Sequence, residues 1–501
     1  MQPGARRVPA PVESLPERGW ISVAGLAAWG GLVSLEAGWL SFARHAWAYN
    51  LWQYFPPWVS LLLGAATLAL VSSRARQALL GGVERLSSLV RASVATGSGW
   101  RAALGAWAVL SVLLWLLRDR QLLGDANILI WEAASGMRFL FPDVGATFLF
   151  GTVVRAARAL GLDHDGVVAS LQLALSASGG LALLCVWRAG RYLAPGHGGG
   201  AALLVLSGGL LRVWAGHVEV YAFLLAAAGA YLWSALAHLA GRGSWRTPCL
   251  ALGVAAWLHP SALALLPSLA FVLWAAPRPR GRRIALGLVL VSLPWLLFLP
   301  LLVAIADRET FEHAREVLLQ VLGRGADSNA PRRWVRGWGG APSVGTDYVF
   351  LAAAHLKYLV NAFHLLCAWV APTLLLLAAR RPGAFLATPT ARFLAVASLP
   401  LVVYALVLRP VWGPFDWDLF SLTALFLGAF AVHLLAGVLP DLALRHALVW
   451  LVGWNLLFCG GPLLVIGFAP VRASGPFVPE AFDPAMLDPS SAAFARIAAW
   501  L

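Results

Sequence analysis

Uninterrupted apolar runs of roughly 16 to 24 residues recur along this chain, the length at which a helix crosses the hydrocarbon core of a bilayer. In hydrocarbon a segment must satisfy its own backbone N–H and C=O groups, so such runs adopt helices. Of the 501 residues, 60% are hydrophobic and 12% charged. A water-soluble chain carries about twice that share of charge. The runs fall at roughly 21–42, 57–72, 102–117, 165–187, 199–212, 218–239, 248–258, 261–276, 284–303, 360–379, 393–408, 419–437 and 446–468. The expectation is an all-α polytopic integral membrane protein, one domain over 1–501 with about thirteen transmembrane helices. No small-residue cleavage site follows the first run, which therefore reads as a span and not as a removed signal.

Arginine sets the orientation, since cytoplasmic links carry the excess of positive charge. With the N-terminus in the cytoplasm, twenty of the 37 basic residues fall inside, in short links. The rest lie mostly in two long outer loops, about 118–164 and 304–359, and a short outer tail runs over about 469–501. Lys357 is the only lysine. The formal charge of +14 therefore reads as arginine-rich links and not as a nucleic-acid surface. Acids are more lopsided: 18 of the 23 fall outside or at the outer ends of spans. Acids contribute little to orientation, so a site on the outer face is the expected cause. The four cysteines lie in or beside apolar runs without metal-ligand spacing and read as packing residues.

Four stretches on that face carry polar groups among apolar ones. "LLGDANILIWEA" holds Asp125 and Glu132, seven residues apart and so on one face of a helix. "AGHVEVYA" holds His217, Glu219 and Tyr221 in a tight link between spans. In "WLHPSALALLPSL", Pro260 breaks a stretch too long for one span and leaves His259 at the break. "RPVWGPFDWDLF" holds Arg409, Trp412, Asp416, Trp417 and Asp418. The segment from Phe139 to Leu160 reads as an amphipathic helix along the interface, with Arg155 and Arg158 on its polar side. "ADRETFEHAREVLLQVLGR", at the head of the second loop, reads as another surface helix.

On these stretches the chain resembles the GT-C membrane glycosyltransferases, which take a sugar from a polyprenyl-phosphate carrier at the outer face. "GDANILIWEAASGMRFLFPD" is similar to that family's first outer loop, with its early acid and interfacial helix. "GHVEVYAFLLAAAGAYLW" is similar to its acid-x-Tyr link, and "LGVAAWLHPSALALLPSLAFVLW" to its short paired helices around a polar break. The protein mannosyl and aminoarabinose transferase branches have a second acid and an arginine where this chain has Ala126 and Ile128, and a lysine where it has His259.

The resemblance implies transfer of a sugar from a polyprenyl-phosphate donor to a lipid-linked glycan, polysaccharide or protein at the outer face of a bacterial cytoplasmic membrane. Inverting transfer needs a base for the acceptor hydroxyl, and Asp125 is the expected one. Glu132, His217, Glu219, Tyr221, His259, Arg409, Trp412, Asp416, Trp417 and Asp418 are the expected substrate-binding residues. Arg118, Arg120 and Lys357 are further cations for the lipid phosphate. Structural roles compete with these: Asp125 and His259 are placed to cap helices, and His217 with Glu219 to form a local polar pair. There is no nucleotide-binding fingerprint or P-loop, so a nucleotide-sugar donor is not expected. The sequence requires no cofactor and leaves divalent-metal dependence open. The rival class is a transporter or lipid-linked sugar flippase, which would place polar residues at mid-membrane in related halves.

Overall fold

The computed structural model describes residues 99–118, 143–275, 280–305, 353–408 and 413–460, with isolated positions elsewhere. All or nearly all of the runs expected at 21–42 and 57–72, the surface helix expected after residue 304 and the 469–501 tail lie outside them. Fourteen α-helices follow one another among the described residues. They are α1 (Gly99–Leu116), α2 (Val144–Ala159), α3 (His164–Leu193), α4 (Gly198–Leu206), α5 (Leu210–Trp214), α6 (Tyr221–Leu239) and α7 (Arg246–Leu258). After a 3-10 helix (Pro260–Leu265) come α8 (Leu266–Ala275), α9 (Arg280–Ile305), α10 (Ala353–Cys367), α11 (Val370–Arg380) and α12 (Pro389–Val407). Short 3-10 helices also span Pro382–Leu386, before α12, and Gly413–Phe420, which leads into α13 (Ser421–Val438) and α14 (Asp441–Asn455).

Five of these segments are long and apolar enough to cross a membrane: His164–Leu193, Tyr221–Leu239, Gly281–Ala304, Pro389–Val407 and Trp417–Val438. Tyr358–Cys367 and Val370–Arg380 would make a sixth, bent by 96°. Several of the thirteen expected spans are shorter or broken. The run at 199–212 is two helices of 9 and 5 residues. At 1.5 Å per residue the longer covers only about 14 Å. The break lies at Ser207-Gly208-Gly209, where the chain docks onto the end of α10. The Gly209 N–H donates to Leu365 O at 2.8 Å, and a Cβ on Gly208 would lie 2.1 Å from Leu366 O. The apolar run is continuous; the backbone-to-backbone contact interrupts the helix.

The long helices divide by what surrounds them. In both α6 and α13, 78% of the apolar window is buried inside the protein, against 17% in α9. α6 and α13 are therefore central. α9 turns Leu288, Val289, Leu296, Leu297 and Val303 outward, the composition of a lipid-facing helix. In lipid the gain comes from close packing more than from expelling water, and the centre shows it. Tyr231 on α6 lies 6.1 Å from Phe393 and 6.2 Å from Phe426, centroid to centroid, and its hydroxyl shares a 2.6 Å hydrogen bond with Ser268. Of the amphipathic segment expected over Phe139 to Leu160, the part from Val144 to Ala159 forms α2. It buries Val144, Phe150, Val154 and Ala157 and leaves Arg155 and Arg158 exposed.

One end of the bundle is pinned by polar contacts. A carbonyl only accepts, so His433 Nδ1 donates to Leu193 O at 3.0 Å. Its Nε2 then accepts from the Thr388 hydroxyl at 2.9 Å. Thr388 Oγ1 also accepts from Ala391 N–H and caps α12. Nearby in the chain, His197 bonds Asp441 and holds its carboxyl below the usual carboxylate range; Arg445, 3.2 Å away, adds to this. The ends of α3 and α13 and the start of α12 thus share one end of the bundle. The starts of α6 and α13 and the ends of α7 and α12 meet at the other.

Thr388→Ala removes a helix cap and the partner of His433. It should lower stability in detergent by about 1 kcal/mol, the usual worth of an N-cap. Thr388→Ser should keep most of it. Equal thermal midpoints for wild type and Thr388→Ala would show that the cap carries no stability.

Candidate functional site

The link from α5 to α6 turns at Gly216, whose φ is +66°. A Cβ there would also lie 3.0 Å from Arg118 Cβ and 3.1 Å from Ser176 Oγ, so any side chain would be strained in backbone and crowded by both neighbours. The turn drives His217 and Glu219 inward, to 2% and 7% exposure. The Glu219 N–H donates to His217 O at 2.9 Å and tightens the link. Arg118 sits against the same turn. It donates to Trp115 O at 3.1 Å and lies over the Trp115 ring at 4.2 Å.

The 3-10 helix before α13 brings a second segment to this link. Trp417 packs on the α4–α5 break, where a Cβ on Gly209 would lie 2.9 Å from its ring, and its centroid is 6.1 Å from that of His217. Asp418 follows, 4% exposed, with Oδ2 3.4 Å from His217 Nε2. That separation is within ion-pair reach but makes no aligned hydrogen bond, and Asp418 Oδ2 has no hydrogen-bond partner among the described residues. One donor atom from each of His217, Glu219 and Asp418 lies within 4.8 Å of the others. Two buried carboxylates this close repel each other and lose hydration. Glu219 lies two residues before α6 and Asp418 three before α13, where helix dipoles favour negative charge.

The proline break supplies the third segment. Pro260 ends α7 and forces His259 into extended backbone, φ −156° and ψ 131°. His259 Nδ1 accepts the Ser261 backbone N–H at 3.1 Å and lies 2.7 Å from the Ser261 hydroxyl. A backbone N–H only donates, so the proton of the neutral ring is on Nε2. Nε2 lies 3.1 Å from Asp143 Oδ1, again without hydrogen-bond alignment. Close approach of α2 and α7 places this pair: a Cβ on Gly145 would lie 2.5 Å from Trp257 O. Asp143 occupies the N-cap position of α2, yet its side chain caps nothing. Tyr221 joins the two clusters. Its ring is 5.4 Å from His259, and Asp418, Tyr404, Asp143 and Glu219 are its electrostatic neighbours.

Six expected residues therefore converge: His217, Glu219, Tyr221, His259, Trp417 and Asp418. The capping role expected for His259 is present at Nδ1, and its other nitrogen still faces the site. Asp125, Glu132, Arg409 and Trp412 lie outside the described residues; Asp416 lies within the 3-10 helix Gly413–Phe420, but its side chain is not among those described. Ala126, Ile130 and Ala133 of the opening stretch are helical and buried, at the spacing of one helix face. Lys357 lies on α10. Three neighbours of the site were not expected: Asp143, Tyr404 and Ser261. Only Asp143 had a signal, an acid between Pro142 and the start of a helix.

No protein-family model matches the chain, and no curated protein matches it. Among solved structures it is similar to ArnT from Cupriavidus metallidurans, crystallised bound to undecaprenyl phosphate. The identity is 16% and the TM-score 0.44, over 74% of this chain and 77% of that one.

Gly216 and Gly196 both have positive φ, but only Gly216 is hemmed in. Gly196→Ala should cost the backbone term alone, about 1–2 kcal/mol. Gly216→Ala should cost about 1–3 kcal/mol more, through overpacking. Thermal melts of the two variants in one detergent measure the difference. Equal midpoints would mean that the link relaxes freely around Gly216.

Proposed function

We propose that this chain is a membrane glycosyltransferase, moving a sugar from a polyprenyl-phosphate donor to an acceptor hydroxyl. The observation that carries this reading is the convergence of acids and histidines from distant links, beside Trp417 and Tyr221, at one end of an apolar helix bundle. Inverting transfer needs a carboxylate able to accept the acceptor's proton, and partial desolvation raises the basicity of such a group. Aromatic faces suit the C–H surface of a sugar ring. A transporter would gather its polar groups near mid-membrane. Here they gather where α2, α6 and α13 begin and α7 and α12 end.

Asp125 is the proposed base. The Asp143–His259 pair, held by Ser261, is proposed to bind and orient the acceptor, and Arg118 and Arg409 to meet the lipid phosphate. Sugar transfer in membranes, followed with a labelled polyprenyl-phosphate sugar, tests the assignment. Asp125→Asn should fall by roughly a hundredfold or more while donor binding survives. Asn caps a helix about as well as Asp, so folded protein should persist. Glu219→Gln should also lower transfer without changing membrane abundance. Full transfer by Asp125→Asn would remove it as base, and movement of intact donor without a new glycosidic product would establish the transporter class.

The site end is proposed to face outward. Leu162 is exposed beyond the start of α3, and Ser244 is exposed in the link between α6 and α7. An impermeant maleimide should label Leu162→Cys in intact cells and Ser244→Cys only after permeabilisation. The native cysteines Cys185, Cys249, Cys367 and Cys459 are buried and should stay silent. The reverse labelling pattern would invert the orientation.

A further inference from the structure

A pair of carboxylates beside one imidazole is an odd thing to bury. Glu219 and Asp418 come from links two hundred positions apart in the chain, and the fold closes them around His217 with all three buried. Within these three side chains two carboxylates face one imidazole, and at this separation the carboxylates repel each other in a low dielectric. An ion pair would align its hydrogen bond. Asp418 Oδ2 lies 3.4 Å from His217 Nε2, accepts no hydrogen bond from the described residues, and belongs to a side chain only 6% exposed. Among the described residues nothing donates a hydrogen bond to that oxygen, which faces His217.

A divalent cation resolves both difficulties. Its charge offsets the repulsion between the two carboxylates, and its coordination uses the Asp418 Oδ2 lone pair, to which no described group donates. The spacing fits as well. Donors about 2.1 Å from a tetrahedral ion lie about 3.4 Å from each other. The His217–Asp418 separation already has that value, and the 4.8 Å limit on the set leaves Glu219 a rotamer adjustment from it. One imidazole nitrogen with two carboxylate oxygens suits zinc or manganese. Magnesium and calcium prefer all-oxygen shells.

We propose that His217, Glu219 and Asp418 hold one divalent transition-metal ion. Three protein donors leave a coordination position open, as in catalytic and not structural zinc sites. An anionic oxygen or a water takes that position. On the transferase reading, which this role alone rests on, it is a phosphate oxygen of the donor, whose departing charge the metal would stabilise.

The test needs no sugar. The full-length protein, purified in detergent and stripped with chelator, is loaded with zinc or manganese alone, desalted and assayed for metal per chain. Wild type should retain one ion, and its thermal midpoint should rise by several degrees. Magnesium at the same concentration should be lost on desalting. Asp418→Asn keeps the shape of the side chain and should weaken binding by at least about a hundredfold, beyond what loss of a supporting contact costs. Its metal-free midpoint should match or exceed that of metal-free wild type, because a like-charge contact has gone. His197→Gln, in the polar cluster at the other end of the bundle, should retain the ion. If Asp418→Asn does not fold, manganese-loaded wild type and His217→Gln decide the matter: nitrogen coupling in the manganese resonance should be present in the first and absent in the second. Less than half an ion per wild-type chain, retention by folded Asp418→Asn, or loss in His197→Gln would overturn the site. An ion retained by a protein that transfers no sugar would leave this proposal standing and remove the transferase reading.

Discussion

Everything at the site end follows from the expense of keeping carboxylates among hydrocarbon. Each of Glu219 and Asp418 precedes the first turn of a central helix, and His217 lies close to both. That arrangement fixes the helix directions around it. α6 and α13 must begin where α7 and α12 end, and their links must be short enough to stay buried. Gly216 and Pro260 are the means. One makes the turn into α6 tight enough for His217 and Glu219 to face inward, and the other stops α7 at His259.

Backbone contact does much of the remaining positioning. Gly145 against Trp257 sets Asp143 beside His259, and Gly208-Gly209 against Leu365 and Leu366 leaves a seat for Trp417. In a bilayer, where burying apolar surface gains little over lipid, such close approaches are a main source of specific packing. The same feature shortens helices: the α4–α5 break gives up part of an apolar run to let two backbones touch.

Much of this could be read in the sequence, for identifiable reasons. His217, Glu219, His259 and Asp418 stand out because charge is scarce in apolar surroundings, and Gly216 and Pro260 mark the breaks beside them. The long helices α3, α6, α9, α12 and α13 follow from hydropathy alone. Other features leave no such mark. Glycine does not interrupt an apolar run, so the break within 199–212 is invisible to hydropathy, as is the 96° bend after Cys367. Asp143 carries only the mark of a helix cap, an acid between Pro142 and the start of a helix. Its meeting with His259 depends on two helices crossing more than a hundred residues apart in the chain. Tyr404 lies within an apolar helix and looks like one more aromatic anchor until α12 is seen to end at the site.

The Thr388–His433–Leu193 contact has a mechanical consequence. It ties the start of α12 to the ends of α3 and α13, at the end of the bundle away from the acids. The other end of α12 is fastened as well: His355 Nε2 donates to Leu406 O at 3.0 Å, and the Thr423 hydroxyl donates to Leu401 O at 3.3 Å. α12 is 19 residues long, about 28 Å. A tilt of about 5° would carry one end by roughly 2.5 Å, enough to break the bonds there. The helix is thus a strut: it keeps Tyr404 at a set distance from the clamped end.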